Sequence, residues 1–195
     1  MRKIAFVAVA GLLSASAFAD QGDILARFRV IDVSPQTSST GYLSANSAKV
    51  KNDVVPELDF TYMITNNIGA ELILGTSRHE VDLNGSSIGK VSVLPPTLTL
   101  QYHFNPQGTI RPYVGAGVNY TRFYDNGLNA GINVKQNSWG GALQVGTDIA
   151  INKDWFVNLD VKKLYIKTDV DLNGTPLGTL TINPWVYGVG IGTKF

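Results

Sequence analysis

The sequence predicts an all-β fold: an eight-stranded antiparallel transmembrane β-barrel, up-and-down, with short periplasmic turns and longer extracellular loops. Three observations lead there. The last eleven residues, Trp185-Val-Tyr-Gly-Val-Gly-Ile-Gly-Thr-Lys-Phe195, alternate bulky apolar side chains with glycine or lysine, and period-two alternation means a strand with one greasy face and one nearly bare face. Ten steps at about 3.3 Å, tilted by roughly 40°, climb about 25 Å, the height of the apolar band of a membrane barrel. Seven further segments each keep one apolar parity, and the connections between them alternate between short and long.

The first segment, about Ile24 to Val33, sets Ile24, Ala26, Phe28 and Val30 against Arg27 and Arg29. The second, about Val54 to Ile64, sets Leu58, Phe60, Tyr62 and Ile64 against Glu57, Asp59 and Thr61, and Thr65-Asn66-Asn67 turns the chain. The third runs through Ile68, Ala70, Leu72 and Leu74 opposite Gly69, Glu71 and Gly75, and is expected to extend to Leu83 before the turn Asn84-Gly85-Ser86. The fourth returns through Leu98, Leu100, Tyr102 and Phe104 opposite Thr97, Thr99, Gln101 and His103. The fifth places Val114, Ala116, Val118 and Tyr120 opposite Tyr113, Gly115, Gly117, Asn119 and Thr121. The sixth has Trp139, Leu143, Val145 and Ile149 opposite Ala142, Gln144, Gly146 and Asp148. The seventh has Trp155, Val157, Leu159, Val161 and Tyr165 opposite Asn158, Asp160 and Lys162, and the eighth is the terminal strand. Connections after even strands are tight (Thr65 to Asn67, Asn105 to Thr109, Asn152 to Asp154). Those after odd strands are read as loops, at about Pro35 to Asp53, Asp125 to Asn137 and Asp169 to Leu180. That asymmetry is the outer-membrane pattern, and an even strand count puts both chain ends on the periplasmic side.

Composition narrows the setting. Arg2 and Lys3, the apolar run Ile4 to Leu13 and Ala17-Phe18-Ala19 read as a cleaved secretory signal over residues 1–19, leaving one domain at residues 20–195. Without Arg2 and Lys3 the chain carries 14 basic against 15 acidic residues, which gives no case for nucleic acid as a partner. There is no cysteine, so thiolate metal sites, cysteine nucleophiles and disulfide staples are excluded. After the leader no window reaches eighteen apolar residues, so any membrane-spanning structure must be a closed sheet.

Alternation alone does not say which face is wet, since eight strands also build soluble barrels. The polar parity decides: it gathers both signs of charge in mid-strand, where they can pair inside a tube. Trp139 to Ile149, Trp155 to Tyr165 and Trp185 to Phe195 each span ten steps with a ring at one end or both, as interfacial girdles require. Lys163 falls on the apolar parity and belongs at the rim, where its stem can snorkel.

Several stretches resemble the OmpW family of small outer-membrane proteins: Phe60 to Leu72, Leu94-Pro-Pro-Thr-Leu98, Arg111-Pro-Tyr-Val-Gly-Ala-Gly-Val-Asn-Tyr120, Trp139 to Gly146, and Asn183-Pro-Trp185 with the final Phe195. The resemblance implies an eight-stranded barrel in the outer membrane of a Gram-negative bacterium. It further implies a narrow apolar passage that admits small hydrophobic molecules from outside and releases them sideways into the bilayer. The chain looks shorter than typical members in its outside loops.

Eight strands enclose an interior that side chains largely fill, so no wide aqueous pore is expected. Arg27, Arg29, Asp59, Glu71, His103, Arg111, Asp148 and Asp160 are predicted to plug the lower lumen, because an unpaired charge in low dielectric is costly. A solute from above must then stop or leave through the wall. Pro95-Pro96 is the candidate wall defect, since proline has no N–H for the ladder; the alternative is that the pair merely starts the membrane part of the strand. Tyr42, Leu43, Phe123, Leu164 and Ile166 are candidates for a hydrophobic entrance. Outer-membrane lipid, lipopolysaccharide, small hydrophobic solutes and the barrel-assembly machinery are the expected partners, the last through the C-terminal strand with Phe195 as signal. No catalytic residue, metal or cofactor is indicated: the two histidines, His79 and His103, lie in no nucleophile motif, and no G-x-S-x-G, H-E-x-x-H or P-loop occurs. The competing reading is a non-transporting structural, adhesin or receptor barrel.

Overall fold

The computed structural model describes residues 19–129 and 131–195; the predicted leader lies outside them apart from Ala19. In chain order the elements are β1 (Ile24–Ser34), β2 (Ser38–Ser39), α1 (Gly41–Ala45), β3 (Lys49–Val50), β4 (Asp53–Met63), β5 (Ile68–Gly75), β6 (Ser77–Leu83), β7 (Ser86–Leu94) and β8 (Thr97–His103). They continue with β9 (Ile110–Leu128), β10 (Ile132–Val134), β11 (Asn137–Ala150), β12 (Trp155–Leu164), β13 (Lys167–Leu172), β14 (Thr175–Thr181) and β15 (Trp185–Lys194). β6 prolongs β5, and β7 leads into β8, so the wall consists of eight antiparallel staves. The last meets the first from Leu25↔Lys194 to Ser34↔Trp185. Ile24 N–H to Phe195 O (3.1 Å) and Phe195 N–H to Ile24 O (2.9 Å) finish the closure, so no stave is left with an open edge.

The tight turns are built from side chains that mimic the backbone. Asn152 Oδ1 accepts from the N–H groups of Asp154 (3.0 Å) and Trp155 (2.9 Å), and Thr65 Oγ1 accepts from Ile68 N–H (3.0 Å). At the other end the expected loops are more ordered than the sequence suggested. The stretch read as a loop from Asp169 to Leu180 is mostly hairpin, β13 against β14, turning on Asn173 (φ 51°) and Gly174 (φ 85°). The Asn-Gly pair supplies the two left-handed residues that such a turn demands. β10 and β2 complete a four-stranded extracellular sheet with them, and α1 packs beside β14.

Polarity across the wall is inverted relative to a soluble barrel. Arg27, Arg29, Asp59, Glu71 and Asn158 inside are 0% exposed, while Leu98 (54%), Leu100 (57%), Val118 (53%) and Val189 (54%) outside are half bare. Only hydrocarbon makes that outer face favourable. Above the bilayer the pattern flips: Val33, Val81, Val91, Val93 and Phe123 point inward and are buried, while Arg78 and Lys90 face out. Lys163 stands at this boundary, its Nζ donating to Asn183 O (2.5 Å) and lying 5.0 Å from the Trp185 ring.

Candidate functional site

The membrane part of the lumen is filled by one ionic network. Arg27 bonds Asp59 Oδ1 (2.9 Å), Thr61 Oγ1 (2.7 Å) and both oxygens of Asp148 (3.1 and 2.8 Å). Arg29 contacts Glu57 (2.9 Å), Asp59 (2.5 Å), Glu71 (3.2 Å) and Asn158 Oδ1 (3.0 Å). Lys162 Nζ donates to Glu57 Oε1 and Asp160 Oδ1, each at 2.7 Å. Neutral groups take up the remaining capacity: Tyr113 Oη donates to Asp160 (2.8 Å), Gln144 Nε2 to Asp160 (2.8 Å), and Thr99 Oγ1 to Glu71 (2.9 Å).

All eight residues predicted for the plug lie in this lumen and are buried, although their roles differ. Arg111 faces Asp148 in the β9–β11 register and lies 5.5 Å from the Phe156 ring. His103 is a correction to the ionic picture: its Nε2 bonds the Gln101 side chain (3.1 Å), and its ring centroid lies 5.3 Å from that of Tyr113. Glu57 and Lys162 belong to the network and were missing from the prediction. The parity of their segments was the available signal.

Room for the large side chains comes from the bare face of the neighbouring strands. A Cβ on Gly192 would lie 2.3 Å from Phe156 Cζ, and one on Gly146 would lie 2.4 Å from Tyr113 Cζ and Oη. We expect Gly192→Val to displace Phe156 from its place 5.6 Å from Arg27 and 5.5 Å from Arg111, lowering unfolding free energy by about 1–3 kcal/mol. A urea titration of the refolded protein in vesicles measures this, with Gly188→Ala, whose Cβ would come no nearer than 3.2 Å to the Arg29 and Ile31 side chains, as the milder comparison.

Above Lys162 and Glu57 the lumen changes character. A narrow apolar cavity is walled by residues such as Ile31, Val33, Val55, Ile73, Val93, Leu164, Ile166, Ile182 and Val186. Its floor is Lys162 with Glu57, and its side carries Gly75, Thr76, Ser77, His79, Pro95 and Thr97. A second apolar cavity lies against it, lined among others by Val50, Val91, Phe123 and Leu180, and the two share His79, Val93 and Ile182. Leu164 and Ile166 thus line the first cavity and Phe123 the second, while Leu43 belongs to the buried cluster that caps them. Tyr42 does not join them: it is 56% exposed. Neighbours on a helix point about 100° apart, so α1 can aim Leu43 inward only by turning Tyr42 out.

Pro95-Pro96 interrupts the wall at cavity height. The ladder between the third and fourth staves stops at Ile73↔Thr97 and resumes at Ser77↔Val93 in the same register. The skipped positions are Leu74, Gly75 and Thr76 against Leu94, Pro95 and Pro96. Consecutive N–H groups of a strand point to opposite neighbours, so two prolines remove one donor on each side. The β9 side is mended, by Tyr120 N–H to Pro96 O (3.0 Å) and Asn119 Nδ2 to Pro95 O (3.2 Å). Across the β5–β8 side the bridge among the described residues comes from a side chain, Thr76 Oγ1 donating to Val93 O (3.3 Å).

A closed eight-stave barrel with an ionic inside, a lipid-facing apolar outside and tight turns at one end defines a small outer-membrane β-barrel protein. Comparison with known proteins narrows this. The OmpW family profile matches residues 20–195, and the chain belongs to that family. It is similar to Outer membrane protein W of Escherichia coli K12, at 40% identity over 207 residues with 98% of each chain covered. It is also similar to the uncharacterized outer-membrane protein y4mB of Sinorhizobium fredii, at 45% identity over 153 residues, 74% of this chain and 67% of that protein. Among solved structures, the outer membrane protein OprG from Pseudomonas aeruginosa superposes with a TM-score of 0.81 at 32% identity, covering 92% of this chain and 98% of its own. The protein therefore resides in the outer membrane of a Gram-negative bacterium, in contact with its lipid.

Proposed function

We propose that the protein is a passive conduit for small hydrophobic molecules, which enter the apolar upper barrel from outside, are stopped by the ionic floor, and leave sideways at Pro95 and Pro96. The observation that carries this reading is the coincidence of three features at one height: the apolar cavity, the Lys162–Glu57 floor and the interrupted ladder. A solute resting there has paired charges beneath it, which an apolar molecule cannot cross without disrupting buried ion pairs. Beside it stands a stretch of wall without its full ladder, at the upper boundary of the bilayer. Its upward path runs between His79, Val93 and Ile182 into the second cavity and the cap. Lipopolysaccharide and outer-membrane lipid would surround the aromatic belt, and Phe195, 74% exposed, would be the contact for the barrel-assembly machinery.

Uptake of a small apolar solute into proteoliposomes tests the reading. Pro95→Ala/Pro96→Ala restores both N–H donors and is expected to slow uptake severalfold. Equal rates for the two proteins would remove the lateral exit. No uptake by the wild type would favour a structural, adhesin or receptor barrel instead.

A further inference from the structure

Resting on this reading of the cavity as a solute path, we infer that its preferred cargo is an apolar molecule carrying one hydroxyl group, read by Ser77 at the edge of the wall defect. The argument starts from His79, which is 4% exposed and lies above the end of the membrane-spanning β5. Its Nδ1 lies 2.8 Å from Lys51 O and its Nε2 lies 2.9 Å from Ser77 Oγ. A carbonyl oxygen only accepts, so Nδ1 carries the proton. Burial pushes the imidazole below the ordinary histidine range, against the opposing pull of the Lys51 carbonyl and Asp53. Near neutral pH the ring is uncharged and Nε2 is a bare acceptor.

Ser77 must then donate its single hydrogen to His79. What Ser77 Oγ turns to the cavity is lone pairs alone, and among the described residues no donor reaches that oxygen. The other polar groups of the lining are engaged or offer the same chemistry. On the floor Lys162 gives two of its three hydrogens to Glu57 and Asp160, while near the break Thr97 Oγ1 donates to Pro95 O (2.9 Å) and Thr76 Oγ1 to Val93 O (3.3 Å). Apolar walls whose polar atom beside the break, Ser77 Oγ, can only accept favour a guest with one hydrogen to give there. Because Ser77↔Val93 is the first ladder pair above the interruption, the guest's hydroxyl would be anchored beside the proposed exit. An added donor also polarises the Ser77–His79 bond, since linked hydrogen bonds strengthen one another.

The test compares two isomers of equal size, 1-hexanol, which can donate, and methyl pentyl ether, which cannot. Each is titrated into the full protein in lipid nanodiscs, with ¹⁵N-labelled histidine as the reporter. The chain has only two histidines, and His103, below the ionic floor, serves as the internal reference. The alcohol is expected to bind about 3–10-fold more tightly than the ether, the worth of one hydrogen bond, and to shift His79 Nε2 while His103 stays still. Ser77→Val, whose methyl takes the hydroxyl's place over His79 Nε2, should bring the ratio to about one, and its isostere Ser77→Thr, which keeps the hydroxyl, should keep the preference. Equal binding of the isomers by wild type, or a preference that survives in Ser77→Val, overturns this inference alone. Binding of neither overturns it together with the solute path.

Discussion

Replacing Arg27 with methionine is expected to lower the unfolding free energy of the barrel by about 3–5 kcal/mol, the cost of removing one partner from a buried ion pair. The guanidinium is fully enclosed and bonds Asp59 and Asp148 at once. Methionine fills similar volume, so packing loss is small, and what remains is Asp148 without its two-pronged cation beside Asp59, which keeps Arg29 alone. Part of the loss should return in Arg27→Met/Asp148→Asn, where one of the stranded charges has gone too. Lys135→Met breaks an exposed pair with Asp169, both side chains about two-thirds bare, and should change little. Urea titrations of vesicle-reconstituted protein, scored by the mobility difference between folded and unfolded forms on unheated gels, give all three values. A loss under about 1 kcal/mol for Arg27→Met would mean that water reaches the network, and the lumen would then be no barrier to polar solutes.

The network also shows how far the sequence could be read. Period-two alternation located all eight staves, and the mixed-sign charges on one parity told inside from outside, because a stave's parity survives any register. It placed Arg27, Asp59 and Asp148 in one lumen, yet it had no means of joining Arg27 to Asp148, 121 positions away. That pairing depends on the stagger with which the sheet closes, a property of the whole ring. The extracellular half was harder for a different reason. Above Gly75 the wall leaves the bilayer, and the rule reverses, so that Val81 and Val91 turn inward while Arg78 faces water. Parity itself still ran unbroken through Glu71, Ile73, Ser77, His79 and Val81. Following it upward would have put Ser77 and His79 in the lumen, where the structure has them. Tyr42 failed because a one-turn helix obeys a different period from the strands around it.

Tying the third stave to the fourth across the proline break should abolish uptake reversibly. Ile73↔Thr97 and Ser77↔Val93 share one register, which puts Thr76 opposite Leu94, both on the outer face. Opposed residues of an antiparallel pair sit about 4.5–5.5 Å apart at Cα, inside the span a disulfide accepts. Since the chain has no cysteine of its own, Thr76→Cys/Leu94→Cys can form only one bond within the chain, a non-reducing gel separates any cross-linked dimer, and both prolines stay in place. The oxidised protein is expected to carry a small apolar solute no faster than protein-free vesicles do, and reduction with dithiothreitol should restore the wild-type rate. Leu94→Cys/Arg122→Cys is the matched control. It bridges the same strand to β9, where Leu94↔Arg122 is already a ladder pair, and a second tie across an intact seam should leave uptake unchanged. Undiminished transport through the oxidised Thr76–Leu94 variant would place the exit elsewhere. The ladder break would then be only the start of a strand, and the solute would need a route past Lys162 and Glu57, through pairs whose rupture the Arg27→Met measurement puts a scale on.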